Sequence, residues 1–324
     1  MSEWRAPALP TLDRFRGVLL GGALGDALGA PYEGAALDYK TERPLRFPNG
    51  NGRVSDDTEQ TLIVADCLLA NGWLDPVDFS ARLREWAVWG HGIGRGTASA
   101  LKRHAAGIPW HQAGMASAGN GAAMRVAPIA LLRWDDPALR GTEAALSALP
   151  THHDPMAAAS AVIMAEAVAR LVTTRKETFD PVEFVETLAG IAKVWGPERV
   201  PERRDPRILT SLSERLQDVL AYLEQDPYTA VATHFWSGAF VLESLPAALW
   251  AFLRQPGNPG AVLQEALLVG HDTDTVASLA GTLAGALNGA AALPAPLLDQ
   301  LEHRERLEKA AENLWDRSTV PIAD

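Results

Sequence analysis

Two short acidic clusters, Ser55-Asp56-Asp57-Thr58-Glu59 and Asp272-Thr273-Asp274-Thr275, each stand directly before a long apolar, helix-forming run in a chain of 324 residues. A chain that folds around those runs draws several carboxylates toward its core, and a buried carboxylate without a partner is costly. Any fold open to this sequence must give these groups company. Two readings meet that demand. Ser, Asp and Thr are ordinary caps at a helix start, and acidic side chains there suit the helix dipole; Asp57 with Gln60 would form a variant of the capping box. A cap needs only one side chain, however, and each cluster supplies several. Hard oxygen ligands at this density are what Mg²⁺ or Mn²⁺ takes, so the second reading is a carboxylate-bridged metal centre where the two clusters meet.

Helical periodicity dominates the chain. Helices are expected over 12–29, 58–70, 76–89, 122–132, 155–172, 181–194, 208–223, 237–253, 260–268, 275–287 and 297–314. Asn71-Gly72 is a good C-terminal stop for the second of these. No stretch alternates like a strand with β-branched enrichment. The expected architecture is therefore all-α, as a single domain over 1–324 with a flexible start at 1–10. The charged, proline-containing stretch 198–207 reads as an exposed loop. Gly21, Gly25 and Gly29 recur at intervals of four; on a helix they share a face and let a neighbouring helix come close. Asp26 sits amid them and is expected to accept hydrogen bonds from a nearby loop. Glu33, just past Pro31, is free to face a cleft. The nearly uncharged stretch 276–293 lacks the strong hydrophobes of a membrane span and reads as a buried helix.

Composition narrows the function. The formal net charge of -11 argues against an extended nucleic-acid surface. The one cysteine, Cys67, rules out a disulfide framework and reads as a small core residue. No signal peptide or membrane segment is read, and a cytoplasmic monomer is expected. Two glycine-rich turns that run into helices, Gly90 to Gly96 and Gly119-Asn120-Gly121, are either plain connectors or anion cradles built from free backbone N–H groups. His152-His153-Asp154 precedes a helix, with Asp154 suited to capping it and His152 to touching a ligand. Among the aromatics, Phe235-Trp236 near Phe240 is the group best suited to lie by a base or sugar.

Taken together, Gly25-Asp26-Ala27-Leu28-Gly29-Ala30-Pro31-Tyr32-Glu33, the first acidic cluster, Gly119-Asn120-Gly121-Ala122-Ala123-Met124-Arg125, Thr151-His152 and Asp272-Thr273-Asp274-Thr275 occur in the order seen in the ADP-ribosylglycohydrolases, and the chain resembles that family from about 15 to 287. The resemblance implies an all-α orthogonal bundle with two divalent metal ions, Mg²⁺ or Mn²⁺. It implies Ser55, Asp56, Asp57, Asp272, Asp274 and Thr275 as metal ligands and Glu33 as the active-site glutamate; in the mechanism expected here, one catalytic carboxylate among Glu33, Asp56 and Asp274 takes the proton of the attacking water. Gly94, Gly96, Gly119, Asn120, Gly121, His152 and His271 would touch an ADP-ribose-containing substrate, free or carried on a protein. Two positions depart from the family pattern. Gly270-His271 stands where Gly-Gly is usual, and no acidic residue stands near Gly92 as in relatives acting on ADP-ribosyl-arginine. The expected activity is metal-dependent hydrolysis of the bond between the anomeric carbon of ADP-ribose and an acceptor. The alternatives are a module that binds ADP-ribose or NAD-derived nucleotides without turnover, and a binuclear-metal hydrolase of another nucleoside or sugar-phosphate substrate.

Overall fold

Helix after helix begins on a cap that the sequence supplies. Thr11, Asp75, Asp136, Asp154, Asp180, Ser211 and Asn258 each accept a backbone N–H of the following first turn. After Asp75, Asp136, Asp154, Asp180 and Asn258 a proline follows at once, where its missing N–H costs nothing. The computed structural model describes residues 8–36, 43–48, 50–197 and 211–319. Over these the helices are α1 (Leu12–Gly29), α2 (Asp56–Asn71), α3 (Pro76–Trp86), α4 (Arg95–Ala105), α5 (Trp110–Ala113), α6 (Gly121–Met124), α7 (Ala127–Leu132), α8 (Pro137–Ala148), α9 (Pro155–Thr173), α10 (Pro181–Trp195), α11 (Leu212–Ala221), α12 (Val241–Arg254), α13 (Pro259–Leu267), α14 (Thr273–Asn288), α15 (Ala295–Leu298) and α16 (Arg304–Thr319). Among the described residues, β pairing is limited to three isolated bridges, so the fold is all-α as expected. The loop expected at 198–207 and most of the flexible start at 1–10 lie outside the described residues.

Several expectations need correction. The single helix expected over 122–132 is two short ones, α6 and α7, because Pro128 cannot donate back to Met124. The helix expected over 297–314 is likewise split, with His303 in the left-handed region at φ 61° just before α16. Helices α4, α5 and α8 are additional to those expected, as is a π-helical segment at Tyr228–Phe235.

The centre of the molecule is a seam between α1 and α14. A Cβ on Gly17 or Gly21 would strike the carbonyl of Gly285 or Gly281, and one on Gly25 would strike that of Ala277. The relation is reciprocal, since a Cβ on Gly281 or Gly285 would strike the carbonyl of Gly21 or Gly17. Two helices whose facing residues lack side chains can bring backbone against backbone, as the spacing of Gly21, Gly25 and Gly29 predicts. α14 packs in turn on α9, α12 and α13, and α1 on α16. α9 is long and apolar enough to cross a bilayer, but 78% of its apolar window is buried inside the protein, the pattern of a core helix. Cys67 is buried, and burial pushes its thiol up to about 12, consistent with a packing role.

Candidate active site

The glycine seam has a chemical consequence. It sets Gly29, at the end of α1, against the backbone of Thr273 and Asp274 at the start of α14. One turn back on α1, Asp26 is fully buried and reaches across to the start of α2. Its carboxylate accepts from Ser55 N (3.0 Å), Thr58 N (3.1 Å) and Thr58 Oγ1 (2.5 Å). Asp26 is thus a cap supplied by another helix, and it pins the N-terminus of α2 against α1. Ser55 caps the same end from within the chain, its Oγ accepting from Asp57 N. The capping-box pairing of Asp57 with Gln60 does not occur; Gln60 Nε2 donates instead to Asp56 Oδ2 at 3.0 Å.

The two acidic clusters meet. Thr275 Oγ1 donates to Asp57 Oδ2 at 3.1 Å, across 218 residues of sequence. Carboxylate oxygens come within 4.8 Å of one another in two groups, Asp26, Asp57 and Asp274, and Glu33, Asp272 and Asp274, so that Asp274 bridges them. Asp56 lies beside them in the cleft wall, outside both groups. Asp57 Oδ1 and Asp274 Oδ1 are buried and accept no hydrogen bond. Burial first, then neighbouring negative charge, raises Asp56 and Asp57 well above the ordinary carboxylate range and carries Asp274 to about 9. Burial raises Asp272 to about 6, against the hydrogen bond from Asn120 Nδ2 at 2.5 Å. Capping does not account for the two orphaned oxygens, whereas a divalent cation between them would. The donor set, carboxylates with the hydroxyls of Ser55 and Thr275, is all hard oxygen and fits Mg²⁺ or Mn²⁺.

The raised values carry a sign. The cation-free folded protein holds protons on Asp272 and Asp274 that the unfolded chain, titrating near ~3.9, has already released. Their contribution to stability is present at low pH and is lost as pH rises through the folded values. Thermal melts in chelator are expected to fall from about pH 4, where the unfolded carboxyls titrate, to about pH 9, more steeply below about pH 6 where Asp272 adds to Asp274, and to lose that slope when Mn²⁺ or Mg²⁺ is added. Identical slopes with and without cation would remove the metal site.

Above the carboxylates opens a cleft of about 690 Å³, within the range of small-molecule sites. Glu33, Asp56, Asp272, Asp274 and Thr275 line one part of it, with Gly94, Gly96, Gly119, Asn120, Gly121 and His152 on the opposing turns. Ser55 and Asp57 lie beneath this wall, buried. His271 does not line the cleft. It is exposed, holds φ 52°, and pairs through its backbone with the segment after Glu33, its O accepting from Gly34 N (2.6 Å) and its N donating to Ala35 O (2.7 Å). Of the aromatic group, only Phe240 lines the cleft; Phe235 is buried against Tyr222 and His234.

Some site residues carry no signal in the sequence. Buried Glu59 accepts from Trp86 Nε1 (2.6 Å) and His91 N (3.0 Å) and pairs with His91 Nδ1 (2.7 Å), tying down the start of the Gly90–Gly96 turn. Among the described residues, Arg95, at the first position of α4, is the only Arg or Lys lining the cleft. Glu59 lies within the first cluster, but its partners are defined only by the fold.

A family model described as ADP-ribosylglycohydrolase matches residues 7–323. The chain belongs to the ADP-ribosylglycohydrolase family. It is accordingly a hydrolase acting on glycosyl bonds. This ADP-ribosylglycohydrolase is 30% identical to the ADP-ribosylhydrolase ARH3 of Bos taurus, over 95% of this chain and 94% of that one. It is 28% identical to the ADP-ribosylarginine hydrolase Tri1 of Pseudomonas putida, over 95% of this chain and 79% of that one. A solved structure described as an ADP-ribosylglycohydrolase-related protein complex superposes with a TM-score of 0.74 at 30% identity, covering 95% of this chain and 99% of the other.

Proposed function

We propose that this protein hydrolyses the bond between the anomeric carbon of ADP-ribose and an acceptor, and that it does so with two divalent cations, Mg²⁺ or Mn²⁺. The observation that carries this reading is the pair of buried, unpartnered oxygens on Asp57 and Asp274, interleaved from two distant clusters at the floor of a cleft. Asp56, Asp57, Asp272 and Asp274, with the Ser55 and Thr275 hydroxyls, are the residues that would hold the cations. When bound, the cations supply Lewis-acid charge at the ribose oxygens and at the attacking water.

The remaining chemistry falls to the chain itself. Glu33 is exposed at the cleft, on the short segment that ends at Gly34, where a carboxylate can take the proton of the attacking water. Asp56 and Asp274 lie close enough to share that task and to offset positive charge on the sugar as the bond to the acceptor breaks. Water adds to the anomeric carbon and the acceptor leaves with a proton. On the opposite wall, the N-terminus of α4 has no side-chain cap and presents free N–H groups beside Arg95. With the Gly119-Asn120-Gly121 turn, this suits the diphosphate. Phe240 offers an apolar face to the base or sugar.

A panel of defined ADP-ribose conjugates, differing only in the acceptor and assayed with Mg²⁺, with Mn²⁺ and with chelator, tests the reading. Cation-dependent release of free ADP-ribose from at least one conjugate is expected. Tight ADP-ribose binding with no release from any conjugate would favour a binding module. Release from a nucleoside or sugar phosphate alone would favour the other hydrolase class.

A further inference from the structure

Behind the cleft wall runs a line of hydrogen bonds that the hydrolysis does not itself use. Arg125 is fully buried where the chain passes from α6 to α7. Its guanidinium donates only to neutral acceptors, with Nη1 reaching Gln60 Oε1 (2.6 Å) and Nη2 reaching Ser147 O (2.6 Å) and Thr151 Oγ1 (2.7 Å). The Phe79 ring lies 5.1 Å from it. Two of these partners, Gln60 and Thr151, each touch a residue of the cleft. Gln60 Nε2 donates to Asp56 Oδ2 (3.0 Å), and Thr151 Oγ1 meets His152 Nδ1 (2.8 Å). We propose that Arg125 is a positioning residue for both ends of the site, holding His152 as the neutral tautomer with Nε2–H turned to the ligand and fixing Asp56 through the amide of Gln60.

The donor rules carry this. A guanidinium cannot accept, so the oxygens of Thr151 and Gln60 that meet it are acceptors there. The amide of Gln60 is thereby oriented, and its NH₂ must point at Asp56. The Thr151 hydroxyl either donates to His152 Nδ1 at 2.8 Å, or accepts from Nδ1–H and sends its own proton to Ala148 O at 3.4 Å; the second arrangement spends that proton on a bond at the limit of hydrogen-bond length, so the first is the better one. Nδ1 is then an acceptor and the ring proton sits on Nε2. Nε2 is the ring atom that a Cβ placed on Gly96 or Gly119, both in the cleft wall, would meet first. Gly121 completes the seat, since a Cβ there would come 2.7 Å from His152 Cε1. Burial, and secondly the charge of Arg125, push His152 down to about 3, while Arg125 itself is lowered only to about 9 and stays charged at neutral pH. His152 is thus a fixed donor toward a hydroxyl or diphosphate oxygen. That last step rests on the cleft being the ADP-ribose site.

Nitrogen-edited NMR of the cation-loaded full chain, with the His152 signal assigned by its loss in His152→Gln, reads the tautomer directly. A protonated Nε2 and bare Nδ1, unchanged from about pH 8 to about pH 5, are expected. Thr151→Val keeps the side-chain shape and removes the link. It is expected to mix the tautomers and weaken ADP-ribose binding about tenfold, the loss of one well-aimed donor. A parent spectrum with the proton on Nδ1, or an imidazolium at pH 6, overturns the proposal. So does a Thr151→Val protein that melts lower yet keeps both tautomer and affinity. If that variant does not fold, the parent spectrum still decides. Failure of the parent to bind ADP-ribose would refute the function and leave the tautomer measurement standing.

Discussion

Asp274→Asn is expected to abolish divalent-cation binding and turnover together. Asp274 is the carboxylate shared by both groups of close oxygens, and its Oδ1 has no protein partner. A catalytic metal supplies several kcal/mol of charge stabilisation, so release of ADP-ribose should drop by about 10³-fold or more. The same variant should gain stability in chelator at pH 8. Burial and the charges of Asp272, Asp26 and Glu33 carry the folded carboxyl to about 9, so at pH 8 the parent must take up a proton on folding, and a neutral amide of the same shape removes that cost. Calorimetric titration with Mn²⁺, turnover on the active conjugate and melts in chelator give three readings on one protein. Turnover within about tenfold of the parent would sink the metal-centre assignment, because loss of a residue that would hold the cation directly should cost at least the ~10–100-fold seen for groups one shell further out.

Adding one methyl group at each of two glycines is expected to have opposite effects. At Gly25 a Cβ would strike the Ala277 carbonyl and crowd Ser278 N, both backbone atoms. Side chains can yield by changing rotamer and backbone at a helix seam cannot, so Gly25→Ala should lose about 3 kcal/mol or more. At Gly190, exposed on α10, a Cβ meets nothing within 4 Å, and Gly190→Ala should gain about 0.5–1 kcal/mol. Chemical denaturation of the two variants checks both signs. Equal effects would mean that α1 and α14 do not touch as described. Gly25→Ala should also lower cation affinity, because the seam sets Gly29 against Asp274 and leads Asp26 to α2.

The contrast shows what the sequence made readable. The close approach along α1 was legible because glycine spacing of four states it without reference to a partner, but the partner, Gly281 and Gly285 on α14, is known only from the fold. The C-terminus of α2 was legible at Asn71-Gly72, where Gly72 holds φ 81°. The break at Pro128 was available in principle from the missing N–H, yet the apolar run around it masks the stop. The left-handed residue before α16 is His303, and a non-glycine at positive φ leaves no compositional mark. α4 escapes the periodicity because its buried face is thin, with only Thr97, Ala100, Leu101 and His104 inside. In the site, the clusters themselves announce a shared purpose. The groups that aim them do not. Glu59 stands in the first cluster and Arg125 just past the Gly119-Asn120-Gly121 turn, but nothing local states that they act through partners 27 and 65 residues away.

The backbone of His271 ties two loops into one rigid piece. Because it bonds to both Gly34 and Ala35, the segment that carries Glu33 and the turn that delivers Asp272 share a lever. A ligand that nudges Glu33 aside therefore tugs on the floor of the site, and a filled floor in turn restrains the swing of Glu33.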